Sequence, residues 1–304
     1  MGTTFGHERI VSFFENCIAN NTIHHAYAFF GPTHVGKRTV ADEIARQLLN
    51  ISRPGAILHP DFVLIERELD EKTGVRKKDI SVTQIRDLIH RLSQSSFEKN
   101  GYTIAIIDGA EYLNLAGANA LLKTLEEPRS KTVIFLITQD ETLLLPTIRS
   151  RVQSIFFSPV GEEKIGIYLQ SQGISTTQAQ IFAKESHGLP GYACMWSESL
   201  QLYEEYLSEK EHAIRLTHFQ FHEKLHSIEH FFEDSDDHIE ARAKIVDVLR
   251  VWTFTFRDMM VESASVRKTL YPVLDRIREA ERELKRNIHP RLILEHIMLA
   301  LPHI

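Results

Sequence analysis

An α/β fold with a parallel sheet in the first half of the chain, followed by an all-helical second half, is predicted by three features of this sequence. Short apolar runs alternate with amphipathic helical stretches as far as residue 157; the first run ends at a glycine-bounded loop that opens a helix; beyond Pro159 only helical periodicity continues. Near-continuous apolar strands connected through helices imply a parallel sheet covered on both faces.

The elements follow in order. Residues 8–20 place Ile10, Phe13, Phe14 and Ile18 on one helical face. His25–Phe30 is a short apolar run and reads as a buried strand. After the loop, Thr39–Leu49 carries Val40, Ile44 and Leu48 as a helical stripe. Phe62–Ile65 is a second strand and Ser81–Leu92 a helix; Thr103–Ile107 is a third strand, ending at Asp108. Ala116–Glu127 is a helix stopped by Pro128, whose ring removes a donor and clashes with the preceding turn. Thr132–Ile137 and Gln153–Phe157 complete five strands. Three helices are then expected at about 161–172, 175–187 and 190–208, and longer ones at roughly 209–232, 237–262, 264–286 and 290–302, with turns near Asp234–Asp237 and Asn287–Pro290.

Composition excludes several classes of protein. With 304 residues, 43% hydrophobic and 25% charged, the chain has room for two or three ordinary cores. No apolar run approaches the ~20 residues that span a bilayer, and the first residues lack a signal peptide's apolar stretch, so a cytoplasmic protein without membrane contact is expected. Two cysteines, Cys17 and Cys194, exclude a disulfide framework and a four-cysteine zinc module. His222, Glu223 and His226 match the H-E-x-x-H pattern of zinc hydrolases, with His230 beyond. On a continuous helix His222 and His230 would stand roughly 12 Å apart along the axis, too far to share one ion. A solvated helix face is the expectation, and no metal site. A net charge of −6 does not advertise a nucleic-acid surface.

The loop Gly31-Pro32-Thr33-His34-Val35-Gly36-Lys37 carries the first chemistry. Glycines let backbone N–H groups curl around phosphates, the helix N-terminus favours negative charge, and the lysine reaches the outer phosphates. The next residue is Arg38, where a working P-loop has Ser or Thr on Mg²⁺. Thr39 follows, but ~100° of helical rotation turns its hydroxyl elsewhere. An arginine at position 38 is expected to reach into the magnesium position. Asp108 ends its strand as a Walker-B aspartate does. The residue after it is Gly109, where an ATPase of this class has the glutamate that polarises water, and Glu111 lies two residues too far.

Several stretches together resemble bacterial clamp-loader AAA+ subunits. They are Gly6–Glu8, His24–Pro32, His59–Asp61, Gln84–Arg86, Ile106–Asp108, Gly117–Pro128 (GANALLKTLEEP) and Leu145–Arg151 (LPTIRSR), and more weakly Arg286–Leu292. The resemblance implies a RecA-like AAA+ P-loop core over about 1–158, a three-helix lid over 159–208 and an all-α collar for oligomerisation over 209–304. It implies a place in a hetero-pentameric ring with delta and gamma/tau subunits, which opens a sliding clamp and loads it on primer-template DNA. Arg151 matches the family's arginine finger, acting on a neighbour's ATP, with Arg149 as the nearby alternative. The family's cysteine after that arginine is Val152 here. Thr138 matches the position that reads the γ-phosphate.

The nucleotide set implied is thus Gly31, Gly36, Lys37, Arg38, Thr39, Asp108 and Thr138, holding ATP or ADP with Mg²⁺ weakly or not at all. The zinc module of related subunits is absent from residues 50–59, and no arginine follows Gly191 in Gly188-Leu-Pro-Gly191. Arg38, Gly109 and that missing arginine all point to a non-hydrolysing member. An active gamma/tau-type subunit, a free-standing P-loop enzyme and a structural relic remain as alternatives.

Overall fold

The computed structural model describes residues 4–51, 58–70, 76–98, 100–129, 131–233, 238–285 and 288–303. It divides into two units, Met1–Glu198 and Ser199–Ile304. The turn expected at 234–237, the first residue of the turn expected at 287–290, and most of the stretch 50–59 lie outside the described residues.

In the first unit five strands, β1 (Ala26–Phe30), β2 (Phe62–Ile65), β3 (Thr103–Asp108), β4 (Thr132–Thr138) and β5 (Gln153–Phe156), form one sheet in the order β2-β3-β4-β1-β5. All neighbours are parallel. Burial follows position: β1 and β4, inside the sheet, are buried along their whole length, whereas β5 at one edge is largely exposed. The helices are α1 (Glu8–Ala19), α2 (Lys37–Leu48), α3 (Val82–Leu92), α4 (Leu115–Glu126) and the single turn α5 (Pro146–Arg149).

The pleat of β1 splits its side chains between two layers. Ala26, Ala28 and Phe30 join the cluster in which Ile85, Leu88 and Leu92 of α3 and Leu121 and Leu125 of α4 are buried. Tyr27 and Phe29 take the other face, where Phe14 of α1 meets their rings at 4.8 and 5.8 Å, edge-on. Each such aromatic contact adds about 0.5–1.5 kcal/mol to what burial alone contributes.

Local chemistry fixes the element ends. Ser81 and Gln84 form a reciprocal capping box on α3, and the same Gln84 side chain donates to Glu66 O at 3.0 Å, tying the helix to the end of β2. Asp61 is buried, and its carboxylate accepts the Phe97 N–H at 2.9 Å, so the His59-Pro-Asp61 element braces the loop after α3.

Three helices complete this unit: α6 (Glu162–Ser171), α7 (Thr176–Glu185) and α8 (Pro190–Glu198). The helix expected over 190–208 is interrupted. Ser199 adopts φ −141°, ψ 105°, and α9 (Leu200–Leu216) begins afterwards in the second unit. The helix expected over 209–232 is broken as well: Gln220 is extended at ψ 160° and boxes with Glu223 to start α10 (Phe221–Ser227), and α11 (His230–Glu233) is a separate turn. Periodicity ran across these breaks because neither contains glycine or proline. The rest is α12 (His238–Glu262), α13 (Ala264–Lys285) and α14 (Pro290–Ala300).

The second unit has its own core, including Leu216, Trp252, Phe256, Ile277 and Ile297. Trp252 donates its indole N–H to Glu209 at 2.6 Å, so the buried ring keeps a partner for its polar edge. The Lys224 ammonium is buried and donates to Leu301 O and Pro302 O, at 2.6 and 3.1 Å, satisfying carbonyls beyond the end of α14.

Candidate functional site

Parallel strands bring their C-terminal ends to one edge of the sheet, where ligands of such folds sit. Gly31, Asp108 and Thr138 all lie there, at or just past the ends of β1, β3 and β4. The loop from Gly31 to Gly36 delivers Lys37 as the first residue of α2, with Gly36 as its N-cap at φ +106°. Lys37 is buried, and its ammonium donates to Gly31 O at 2.6 Å and Pro32 O at 2.8 Å. The charge that would meet outer phosphates is thus folded back onto the loop's own carbonyls.

Arg38 bridges two carboxylates. Its Nε donates to both carboxylate oxygens of Asp42, at 3.0 and 3.1 Å, and Nη1 reaches Asp108 Oδ2 at 3.3 Å. The guanidinium therefore stands between the Walker-B aspartate and the P-loop helix, where a magnesium's shell would be. Burial pushes the Asp42 carboxyl above its ordinary value, against the pull of Arg38. Asp42 was not singled out from sequence, although a carboxylate four residues after an arginine on one helix is a readable pairing signal. Thr39 is exposed. A P-loop magnesium needs a hydroxyl at position 38 and an aspartate open to its water shell; an arginine that occupies both does not fit that ion.

Gly109 has φ +84°, and a β-carbon there would lie 2.8 Å from the Tyr112 ring. A left-handed backbone against an aromatic ring leaves no room for the glutamate of a hydrolysing site. Glu111 sits in the turn Ala110–Tyr112, with Oε2 buried and unpartnered. Thr138, opposite Phe30 in the β1–β4 register, is buried and its hydroxyl has no partner.

Two contacts that sequence reasoning missed hold the loop from outside. His7 is buried, with Nε2 2.7 Å from Val35 O, so that nitrogen carries the proton. Burial, the largest cause, holds this imidazole below its ordinary pKa despite that bond. On the other side Gly191 donates its N–H to His34 O at 2.8 Å, and a β-carbon at 191 would stand 2.9 Å from both His34 Cβ and its carbonyl oxygen. Tyr192 follows, its ring 4.3 Å from that of His34. The helix α8 is thereby docked on the loop. No single-residue signal announces either contact, since both join segments far apart in sequence.

Arg151 lies elsewhere, between α5 and β5. Its Nε donates to Glu126 Oε1 at 2.9 Å, Nη2 is 2.6 Å from the same oxygen, and Nη1 donates to Thr147 O and Ser150 Oγ at 2.9 and 3.0 Å. It borders an open cleft of about 460 Å³ with His24, His25, Glu126 and Gln153. Arg149, the alternative, is only loosely paired with Glu141 at 3.9 Å.

His222, His226 and His230 do not converge. His226 pairs with Glu229 at 3.1 Å and His230 is 2.8 Å from Ser227 O. Among the described residues no three His, Cys, Asp or Glu side chains are placed to hold a metal, and no helix is long and apolar enough to cross a membrane.

A five-stranded parallel sheet with a P-loop after its β1, extended by three helices and followed by a helical unit, is the architecture of the AAA+ class. A family described as DNA polymerase III, delta subunit, matches residues 6–161, just over half of the chain, and the chain belongs to that family. The chain is 39% identical to the delta′ subunit of DNA polymerase III from Pseudomonas aeruginosa, over 42% of this chain and 41% of that one. It is 31% identical to the Haemophilus influenzae delta′ subunit, over 53% and 50%, and 25% identical to that of Bacillus subtilis, over 96% and 95%. The match thus spans half or less of the first two relatives. Among solved structures, a gamma subunit-related protein of Thermotoga maritima aligns over 96% of this chain and 97% of its own, at 19% identity and a TM-score of 0.47.

Proposed function

We propose that this chain works as a non-hydrolysing subunit of the replicative clamp loader, in the cytoplasm. It assembles through its helical C-terminal part with delta and gamma/tau subunits, and the ring places a sliding clamp on primed DNA. It offers Arg151 to the ATP of a neighbouring subunit, where the guanidinium offsets charge developing on the γ-phosphate. Its own nucleotide site binds ATP or ADP weakly or not at all.

The observation that carries this reading is Arg38 bridging Asp42 and Asp108. A site that fills its metal position with its own cation has no use for its aspartate in hydrolysis. Lys37 donating to Gly31 O and Pro32 O points the same way. The site that remains suited to γ-phosphate chemistry is then Arg151, in the family's finger position. No hydrolytic step is assigned to this chain's own loop.

ATP turnover by the purified chain, alone and in the reconstituted complex, tests the division of labour. The chain alone is expected to be inactive, and Lys37→Ala to leave the complex's turnover unchanged. Vigorous turnover abolished by Lys37→Ala would make the chain an active motor subunit instead.

A further inference from the structure

Arg151 is held by more than chance contact. Three groups meet at its guanidinium: Glu126, the last residue of α4, Thr147 O in the turn α5, and the hydroxyl of Ser150, which caps that turn. Glu126 Oε1 takes both Nε and Nη2, at 2.9 and 2.6 Å, and the carbonyl and hydroxyl take Nη1. A planar guanidinium fixed along one edge and at one end cannot rotate about its last torsions without losing hydrogen bonds. Nη2 carries two N–H groups and spends one on Glu126, so its second N–H is left to meet an incoming oxyanion, beside the cleft that His24 and His25 help to line.

We propose that Glu126 is a positioning residue for Arg151: its carboxylate holds Nε and one N–H of Nη2, fixing the guanidinium plane so that the second N–H of Nη2 is presented, preoriented, to a phosphate brought by the adjacent subunit. The inference rests on the finger reading of Arg151 given above. The physical reason is the entropy of a long side chain. An unheld arginine samples many rotamers, and a displacement of about 1 Å at the reacting centre can cost 10²-fold in rate. The same carboxylate restrains the arginine before the neighbour arrives, so orientation is not established during the reaction. Position 126 falls inside the Leu-Leu-Lys-Thr-Leu-Glu-Glu-Pro signature that first marked the family, and this contact gives that glutamate a chemical task.

The test is the steady-state ATPase of the reconstituted complex carrying Glu126→Gln, Glu126→Asp, Arg151→Ala, or Glu126→Gln with Arg151→Ala, with assembly checked by size-exclusion chromatography. Glu126→Gln is expected to lower kcat roughly tenfold with KM for ATP unchanged, as an orientation loss should. Glu126→Asp, which keeps the charge, is expected to recover part of the rate, and Glu126→Gln to add nothing once Arg151 is alanine. A normal kcat for Glu126→Gln beside a strong Arg151→Ala defect overturns the role of Glu126 alone. A Glu126→Gln defect that persists in the Arg151→Ala background, or that follows loss of assembly, assigns Glu126 to structure and overturns it too. If Arg151→Ala leaves the ATPase of the assembled complex intact, the finger reading falls and takes this one with it.

Discussion

Replacing Arg38 by serine removes the cation from the magnesium position and restores the hydroxyl of a working P-loop. The structure sets the size of the effect. In the native chain a Mg-nucleotide must first displace Arg38 from Asp108, breaking one charge-assisted contact at 3.3 Å and disturbing the pair with Asp42 at 3.0 Å. Such contacts between partly exposed groups are worth about 1–2 kcal/mol together. Each 1.4 kcal/mol is tenfold in an equilibrium constant, so Arg38→Ser should bind MgADP roughly tenfold more tightly than the native chain. The gain should need magnesium, since the serine acts through the ion. Asp42, whose carboxyl burial already pushes upward, loses a cation that held it down, so its pKa should rise further. Lost pairing should lower the melting temperature without nucleotide by a few degrees. Isothermal titration with MgADP, repeated in EDTA, reads the outcome. Equal affinities for native and Arg38→Ser protein, or a native chain that already binds MgADP tightly and magnesium-dependently, would refute the idea that Arg38 blocks the site.

Other consequences follow from the same geometry. Gly109→Glu, which writes back the missing Walker-B glutamate, should destabilise the fold by about 1–3 kcal/mol in a denaturant titration, because the side chain is forced onto a left-handed backbone against Tyr112; it should not restore turnover. His7 is held neutral below its ordinary pKa, so the fold resists a proton that the unfolded chain accepts. Its contribution is complete above pH ~6.5 and is lost as pH falls through the lower folded value. The melting temperature should therefore fall less steeply between pH 7 and 5 in His7→Gln, whose amide can still donate to Val35 O. Lys224→Met should cost about 1–3 kcal/mol in the same denaturant assay, since it leaves Leu301 O and Pro302 O without their donor.

What the sequence made legible divides by the range of the interaction. The strands were readable because a buried parallel strand is near-continuously apolar, as Ala26–Phe30 and Val133–Ile137 are. Arg38 was readable as an intruder because the P-loop fixes what its neighbour must be, and the helix places it beside Asp42 and Asp108. The breaks at Ser199 and Gln220 were not legible, because ordinary polar residues leave the helix there and the apolar period continues on either side. The contacts of His7 with Val35 and of Gly191 with His34 bridge segments that only the fold brings together. Glu126 was visible as part of a signature, but its bond to Arg151 spans 25 residues and waited for the structure.

The central claim is that this chain contributes Arg151 to a neighbour's nucleotide while its own loop stays silent. The most direct measurement is DNA- and clamp-stimulated ATPase of the reconstituted loader with Arg151→Ala as the sole change, beside Lys37→Ala. The account predicts that Arg151→Ala lowers turnover at least tenfold in a complex that still assembles, while Lys37→Ala does not. Turnover untouched by Arg151→Ala, or abolished by Lys37→Ala, would contradict it.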